Sequence, residues 1–388
     1  MSSNVTLRIK VSIGKLTLKL FKIPALTPYG LSSALLLAFA SRLFIVLVAV
    51  LGSYFLPIIN PNAWDSGVPV LNLFARWDAG HYFRIAEHGY DQSTIGFFPL
   101  YPMLLRLLSA PLTPFMPKMW ALNIAGFVLS NFFFFIAIVG LYRLTYSVFG
   151  NSKIAFGSCL FLSFFPTSVF FSAVYAESLT IALTLWAFLM LEKNKKIIGS
   201  LLAFLAGLSR PIGFIAFIPF FIDAIKRRSL STAGLAIFSF SSIIAFDVYR
   251  YTLVGKSVVM STLQAIFKII NTKPLLVFTD LFVQPRFNFA LNIVSVMIFF
   301  LIIISFAYMI LANKGIGYLA YSAALLIVYV FLSTFQGFPR YSLMIITSYW
   351  LLGYIWSKSQ NVGLFCLTWS ASLMGLLTVI FANWYELP

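Results

Sequence analysis

The chain has 388 residues, 61% of them apolar and only 10% charged, with a formal net charge of +17. A mean hydropathy of +0.96 excludes a soluble globular domain and points to a protein that lives in a membrane. The apolar runs lack the two-residue alternation of a barrel strand, and the basic residues punctuate those runs rather than forming a polar face, so neither an outer-membrane barrel nor a nucleic-acid binder fits.

Residues 1–30 interleave Arg8, Lys10, Lys15, Lys19 and Lys22 with aliphatic residues and have no signal-peptide core or small-residue cleavage site. They read either as a cytoplasmic basic arm on anionic lipid or as a solvated basic tail. Apolar stretches then predict spans near 31–56, 119–148, 153–170, 174–191, 197–209, 211–225, 230–251, 289–312, 317–334, 341–357 and 361–382. That is an all-α polytopic membrane protein of about eleven transmembrane helices in one membrane-embedded domain, 1–388. Cys159 and Cys366 fall inside apolar stretches, without Cys-x-x-Cys or His-spaced partners, so neither a disulfide framework nor a zinc site is indicated.

Segment 97–118, "FFPLYPMLLRLLSAPLTPFMPK", is apolar enough to span, yet it carries five prolines and Arg106. Lys and Arg in short loops mark the cytoplasmic side. If 97–118 does not cross, the arm, Arg143 with Lys153, "EKNKK" at 192–196, "KRR" at 226–228, Lys314 and Lys358 all lie inside. The segment is therefore read as an interfacial helix, following another at 79–93. This topology sends five polar stretches to the outer face: 58–95, "SAVYAES" at 172–178, "SRP" at 209–211, the loop 252–288, and "FQGFPRYS" at 335–342. Polar groups at apolar helix ends are costly and usually functional, so these stretches are expected to wall one extracytoplasmic site. No P-loop, G-x-G-x-x-G or nucleotide-binding domain is present in the sequence.

The stretch "RWDAGHYFRIAEHGY" at 76–90 concentrates Arg76, Asp78, Arg84, Glu87 and both histidines. On a helix over 78–90, Asp78, His81, Ile85 and His88 share one face, and Glu87 points away with Phe83 and Tyr90. An Asp and a His within one turn can hold a hydroxyl, and a carboxylate that accepts its proton is the least a glycosyl or phosphoryl transfer requires. Two other readings stay open: ion pairs anchoring an interfacial helix, and a metal held by Asp78, His81 and His88 without a compact H-x-x-x-H pair.

Arg210 and Arg340 either snorkel to lipid phosphate or present their donor forks to a substrate phosphate, with Pro211 and Pro339 breaking the adjacent helix. Glu177, in a turn between apolar runs, is solvated there without a partner or belongs to the site. Tyr175, Tyr341 and Phe97–Phe98 line a sugar or lipid cleft or form an interfacial aromatic belt. Lys256, Lys268, Lys273 and Arg286 face Asp280 in the long outer loop, where they are either solvated or beside a phosphate.

These residues resemble a known family. "RWDAGHYFRIAEHGY" followed by "FFPLYP" is similar to the signature of the PIG-V enzymes, which add the second mannose to glycosylphosphatidylinositol, and of their archaeal and bacterial relatives. "FFPTSVFFSAVYAESL" at 164–179, "LSRPIG" at 208–213 and "GFPRY" at 337–341 resemble further elements, in order. The resemblance is to a prokaryotic, archaeal-type member, which is not expected to make the eukaryotic anchor.

The resemblance implies a GT-C glycosyltransferase fold with two interfacial helices in the first extracytoplasmic loop, 58–118. It implies an inverting α-mannosyltransferase that moves mannose from polyprenyl (dolichyl)-phosphate mannose to a lipid-linked glycan or glycolipid acceptor outside the cytoplasm. Asp78 is then the general base with His81 beside it, and Arg76, Trp77, Glu87, His88, Tyr175, Glu177, Arg210, Arg340 and Tyr341 line the substrates. The implied partners are those two lipids and the surrounding membrane, not nucleic acid. The location is multi-pass in a prokaryotic plasma membrane, or the ER of a eukaryote, with the N-terminus cytoplasmic. No cofactor or metal ligand is implied, and divalent-metal dependence stays open because no D-x-D pair is present and GT-C enzymes differ on this point. The rival readings are a lipid-linked-sugar flippase lined by Arg42, Glu177, Arg210 and Asp247, and a noncatalytic subunit of a glycosyltransferase complex.

Overall fold

The computed structural model describes residues 28–57, 68–255, 257, 286–332 and 337–385. The basic arm, most of the 252–288 loop and the start of the 58–95 stretch lie outside the described residues. Among the described residues every regular element is helical. The longer helices are α1 Leu31–Phe55, α2 Ala79–His88, α3 Leu100–Ser109, α4 Lys118–Phe149, α5 Ser152–Ser163, α6 Glu177–Glu192, α7 Lys196–Ser209 and α8 Ile218–Arg227. They continue with α9 Leu230–Val254, α10 Arg286–Leu311, α11 Ile316–Leu332, α12 Ile346–Lys358 and α13 Gln360–Ala382.

Among the described residues five helices are long and apolar enough to cross a membrane: α1, α4, α9, α10 and α13. The other six predicted spans correspond to α5, α6, α7, α8, α11 and α12, of which the longest has 17 residues. At 1.5 Å per residue these fall short of a hydrocarbon core of about 30 Å. Their shortness has a sequence cause. Pro166, Pro211 and Pro339 interrupt the helical runs, and 3-10 or one-turn segments follow at Ser168–Phe171, Pro211–Phe217 and Phe338–Tyr341. Irregular backbone within an apolar bundle is tolerated where it is buried in protein or lines a cavity. Here it sits in the core: Ser168, Ser172, Arg210 and Arg340 are all buried.

Segments 79–93 and 97–118 hold the ten-residue helices α2 and α3, each about 15 Å long. Ring contacts of Tyr82 with Phe97 and Tyr101 pack α2 against α3. Tyr101 Oη bonds Ser130 Oγ at 2.9 Å, fastening α3 to α4, and the same Ser130 hydroxyl donates to the Tyr175 carbonyl at 3.3 Å. Gly126 of α4 leaves room for Val174, whose methyl group would lie 2.5 Å from an added Cβ. In this way α4 carries both the α2–α3 pair and the 172–176 loop.

Arg42, in the middle of α1, is buried and has no carboxylate partner among the described residues. It donates instead to Ser163 O and Ser168 O at 2.9 Å, to Ser168 Oγ at 2.5 Å and to Ser172 Oγ at 3.2 Å. Its guanidinium lies 4.0 Å from the Phe134 ring centroid. An arginine saturated by carbonyls and hydroxyls replaces the helix hydrogen bonds that Pro166 forfeits. Arg42 is thus a latch on the loop leading to Glu177 rather than an open cation.

Candidate active site

Four of the polar stretches meet at one end of the bundle. Arg340 donates through Nη2 to Asp78 Oδ2 at 2.7 Å and through Nε to Glu177 Oε1 at 2.5 Å. Arg210 Nη1 lies 2.6 Å from the same Glu177 oxygen. The result is a linear run of alternating charge, Arg210, Glu177, Arg340, Asp78, drawn from positions up to 262 residues apart. Most of the fifth stretch, with Lys256, Lys268, Lys273 and Asp280, lies outside the described residues, as does the side chain of Arg286.

Each member is placed by backbone chemistry. Glu177 is the first residue of α6, where a helix N-terminus favours an anion, and Arg210 caps the C-terminus of α7, where a cation is favoured. A Cβ at Gly213 would overlap the Ala206 carbonyl oxygen, so the turn that carries Arg210 closes tightly only with glycine there. Arg340 sits in the one-turn helix Phe338–Tyr341, which Thr167 Oγ1 fastens by donating to Pro339 O at 2.8 Å.

Asp78 is aimed by a strained turn. Trp77 has φ of 50°, in the left-handed region that L-residues avoid, a conformation that costs about 1–3 kcal/mol and persists only when its surroundings hold it. Tyr175 Oη does so from below, accepting from Asp78 N at 3.2 Å and donating to Arg76 O at 3.1 Å. From the side, Trp77 packs on Trp384 with ring centroids 5.2 Å apart, and Arg76 donates to Ala382 O at 3.0 Å with its guanidinium over the Trp384 ring.

Exposure divides the cluster by role. Glu177 is fully buried, Arg210 and Arg340 are 7% and 8% exposed, and the Asp78 side chain is 31% exposed. Asp78 is therefore the carboxylate of the cluster that is open to its surroundings. Burial pushes its carboxyl up, but the charge and hydrogen bond of Arg340 together with the charges of Arg210 and His81 outweigh it, and the group is held below its ordinary range. The guanidinium of Arg340 lies over the rings of Tyr175 and Phe170, at 4.5 and 5.0 Å. Arg210 faces the Tyr341 ring, which stacks on Tyr329 at 5.2 Å.

Several expectations are corrected by this geometry. Glu177 is not a solvated turn residue: it holds two arginines in the core. Arg210 and Arg340 do not snorkel to the surface, because each is buried against an acid. Asp78 precedes α2 as its N-cap instead of lying on the helix, and of its predicted face-mates Ile85 is buried while His81 and His88 are exposed. His81 stacks on Phe97 at 4.6 Å. Glu87 does not point away from His88. The two are 3.4 Å apart at the far end of α2, where Glu87 also meets Lys118 at 3.3 Å. Arg76 supports the Trp77 turn through Ala382 and Trp384, and Arg84 pairs with Asp91 at 2.6 Å. No group of three or more His, Cys, Asp or Glu converges as a metal site among the described residues. Sequence reasoning passed over Tyr82 and Trp384, whose packing partners become visible only in three dimensions.

Residues 57–226 match the family model described as Mannosyltransferase (PIG-V). The resemblance to PIG-V therefore stands. The matched segment contains Asp78, Glu177 and Arg210 and stops short of Arg340. Among curated relatives, the GPI alpha-1,6-mannosyltransferase 2 of Rattus norvegicus is 32% identical over 151 residues, 38% of this chain and 31% of its own. The Schizosaccharomyces pombe GPI mannosyltransferase 2 is 31% identical over 163 residues, 41% of this chain and 34% of its own. The chain thus spans about a third of the length of the curated relatives it matches. A crystal structure of the Archaeoglobus fulgidus oligosaccharyltransferase, in complex with Zn and sulfate, superposes with a TM-score of 0.51 at 15% identity. The match covers 89% of this chain and 53% of that one, a shared fold that extends beyond the segment the family model matches and agrees with the GT-C fold that the resemblance implies.

Proposed function

We propose that this protein is a mannosyltransferase that takes mannose from a polyprenyl-phosphate donor and passes it, with inversion, to a hydroxyl of a lipid-linked glycan or glycolipid on the extracytoplasmic face. The observation that carries the reading is a part-exposed carboxylate set beside two buried guanidinium groups, with the carboxylate and one of the arginines in a segment that matches a mannosyltransferase family. The acceptor oxygen bonds to the anomeric carbon as its proton passes to Asp78. The bond from that carbon to the phosphate oxygen breaks, and polyprenyl phosphate leaves with the electron pair. Phosphate is a good leaving group, so one base and nearby cations suffice.

Arg340 is placed to receive the phosphate charge. Its Nε is held by the fully buried Glu177 and its Nη2 by the part-exposed Asp78, so Nη2 is the donor a phosphate can reach. Arg210 supplies the second cation. His81, braced by Phe97, stands where it can orient the acceptor hydroxyl, and Tyr341 offers a ring to the sugar or lipid. A groove of about 480 Å³ between α2, α3 and the outer half of α9 is lined by Ile85, Pro102, Met103, Leu208 and Phe246. It reaches within two residues of Arg210 and suits a hydrocarbon chain. The outer location rests on the loop charges, and the membrane account assigns 1–388 to a single domain.

The flippase reading fits less well. Arg42 is consumed by the 163–172 loop, and Asp247 pairs with Arg250 at 3.1 Å, so neither presents a charge to a path. Supplying the purified protein with a lipid acceptor extract and either β-mannosyl polyprenyl phosphate or a sugar nucleotide tests the donor. Transfer from the lipid donor alone is expected, and transfer from the nucleotide alone would overturn the reading.

The acid limb of kcat/KM for the donor reports Asp78 in the free enzyme. Because Arg340 holds that carboxyl down, the rate should stay level as pH falls through the ordinary carboxylate range and drop only below it. Arg340→Gln removes the cation and leaves burial, so the limb should move to higher pH. A limb that stays in place in the variant would detach Arg340 from the base.

A further inference from the structure

We infer that Arg340 is shared between two competing anions, Asp78 and the donor phosphate, so that donor binding releases Asp78 to act as a base. The inference rests on the donor reading above and adds to it an order of events.

In the free protein the four charges of the cluster balance: two guanidinium groups face two carboxylates, and Arg340 is the only member that touches both acids. Its two contacts are not equivalent. The Glu177 side is fully buried, anchored at the start of α6 and shared with Arg210. The Asp78 side is 31% exposed and ends on a strained turn. A competing anion can therefore displace only the Asp78 carboxylate, while Glu177 keeps the guanidinium in place by its Nε. The second carboxylate oxygen of Glu177 has no hydrogen-bond partner among the described residues, so Glu177 has spare capacity to hold the arginines as they turn.

While it is bound to Arg340, Asp78 is a weak base, because the guanidinium stabilises its ionised form. The groups facing it are Arg340 from the 338–341 turn, Arg210 from α7, His81 from α2, and the Tyr175 hydroxyl at its backbone nitrogen. A phosphate that takes the Nη2 donor removes the strongest of these and brings a negative charge nearby. Both changes make Asp78 more basic at the moment an acceptor hydroxyl needs it. Without donor, the carboxylate stays neutralised and does not activate water. Glu177 is then a positioning residue: it touches no substrate and acts through both arginines.

The coupling is measured as a double-mutant cycle on the affinity of detergent-solubilised full-length protein for polyprenyl phosphate. In the parent background Asp78→Asn should tighten binding by about tenfold or more, since it frees a charge-assisted donor. In the Arg340→Gln background the same change should alter affinity by no more than about twofold. Glu177 retains Arg210 in that protein, so the buried acid stays paired, and Asp78→Ser replaces Asp78→Asn in the cycle if the latter does not fold. An equal gain in both backgrounds would mean simple repulsion between Asp78 and phosphate, and no gain in the parent background would mean no competition; either result overturns the inference while leaving the donor reading intact. Absence of polyprenyl-phosphate binding by the folded parent protein would overturn both.

Discussion

Asp78→Asn is expected to lower turnover by about a thousandfold, the middle of the range for losing a general base, while the protein stays folded. The substitution keeps the shape of the side chain and removes only its charge. The group is part exposed, so the cost in stability is small, and Glu177 still neutralises Arg340. Residual transfer would come from the two arginines, which go on stabilising the leaving phosphate. Measuring kcat at saturating donor together with thermal unfolding separates the two effects. A fall in activity matched by an equal loss of folded protein would give Asp78 a structural role instead.

Glu177→Gln is expected to do the opposite and show itself first in stability. Glu177 is fully buried and compensates two arginines whose side chains are at most 10% exposed. Breaking a buried ion pair from one side typically costs about 3–5 kcal/mol, because it leaves uncompensated charge in a poor solvent. Two arginines share this acid, so the upper part of that range is the expectation. Asp78→Asn should cost far less, and the ratio of the two is the informative quantity. Equal destabilisation would contradict the division between an accessible base and a buried anchor. Transfer should fall in Glu177→Gln as well, by a lower kcat with little change in KM for the acceptor, since the arginines lose their register.

Much of the fold is legible in the sequence for a simple reason: a long apolar run has one low-energy fate in a bilayer. The spans expected at 31–56 and 119–148 appear as Leu31–Phe55 and Lys118–Phe149. The break of the 97–118 stretch into a short helix was readable from its prolines, and α3 has ten residues. The short helices were not readable. Hydropathy alone does not register that Pro211 turns the 211–217 stretch into a 3-10 segment, or that 164–171 breaks and is rebuilt by Arg42.

The site was legible as a set of residues but not as a circuit. Asp78, Glu177, Arg210 and Arg340 each stood out as costly polar groups at apolar helix ends. That Arg340 reaches Asp78 across 262 residues is a tertiary fact that no helical period encodes. Helical geometry also misled at 76–90: it grouped His88 with Asp78 and separated it from Glu87, because the helix begins one residue after Asp78 and not before it. The burial of Glu177 was hidden by its turn-like neighbours, and the paired arginines at 210 and 340 were the one signal that could have revealed it.

The central claim is that this cluster transfers mannose from a polyprenyl phosphate with Asp78 as base. It is tested most directly by incubating vesicle-reconstituted parent and Asp78→Asn proteins with β-mannosyl polyprenyl phosphate and a lipid acceptor, following released polyprenyl phosphate and the anomeric configuration of the product. The parent should release one polyprenyl phosphate per α-linked mannose transferred, and folded Asp78→Asn should do neither at a comparable rate. Undiminished transfer by Asp78→Asn, a β-linked product, or no release by the folded parent would contradict the account.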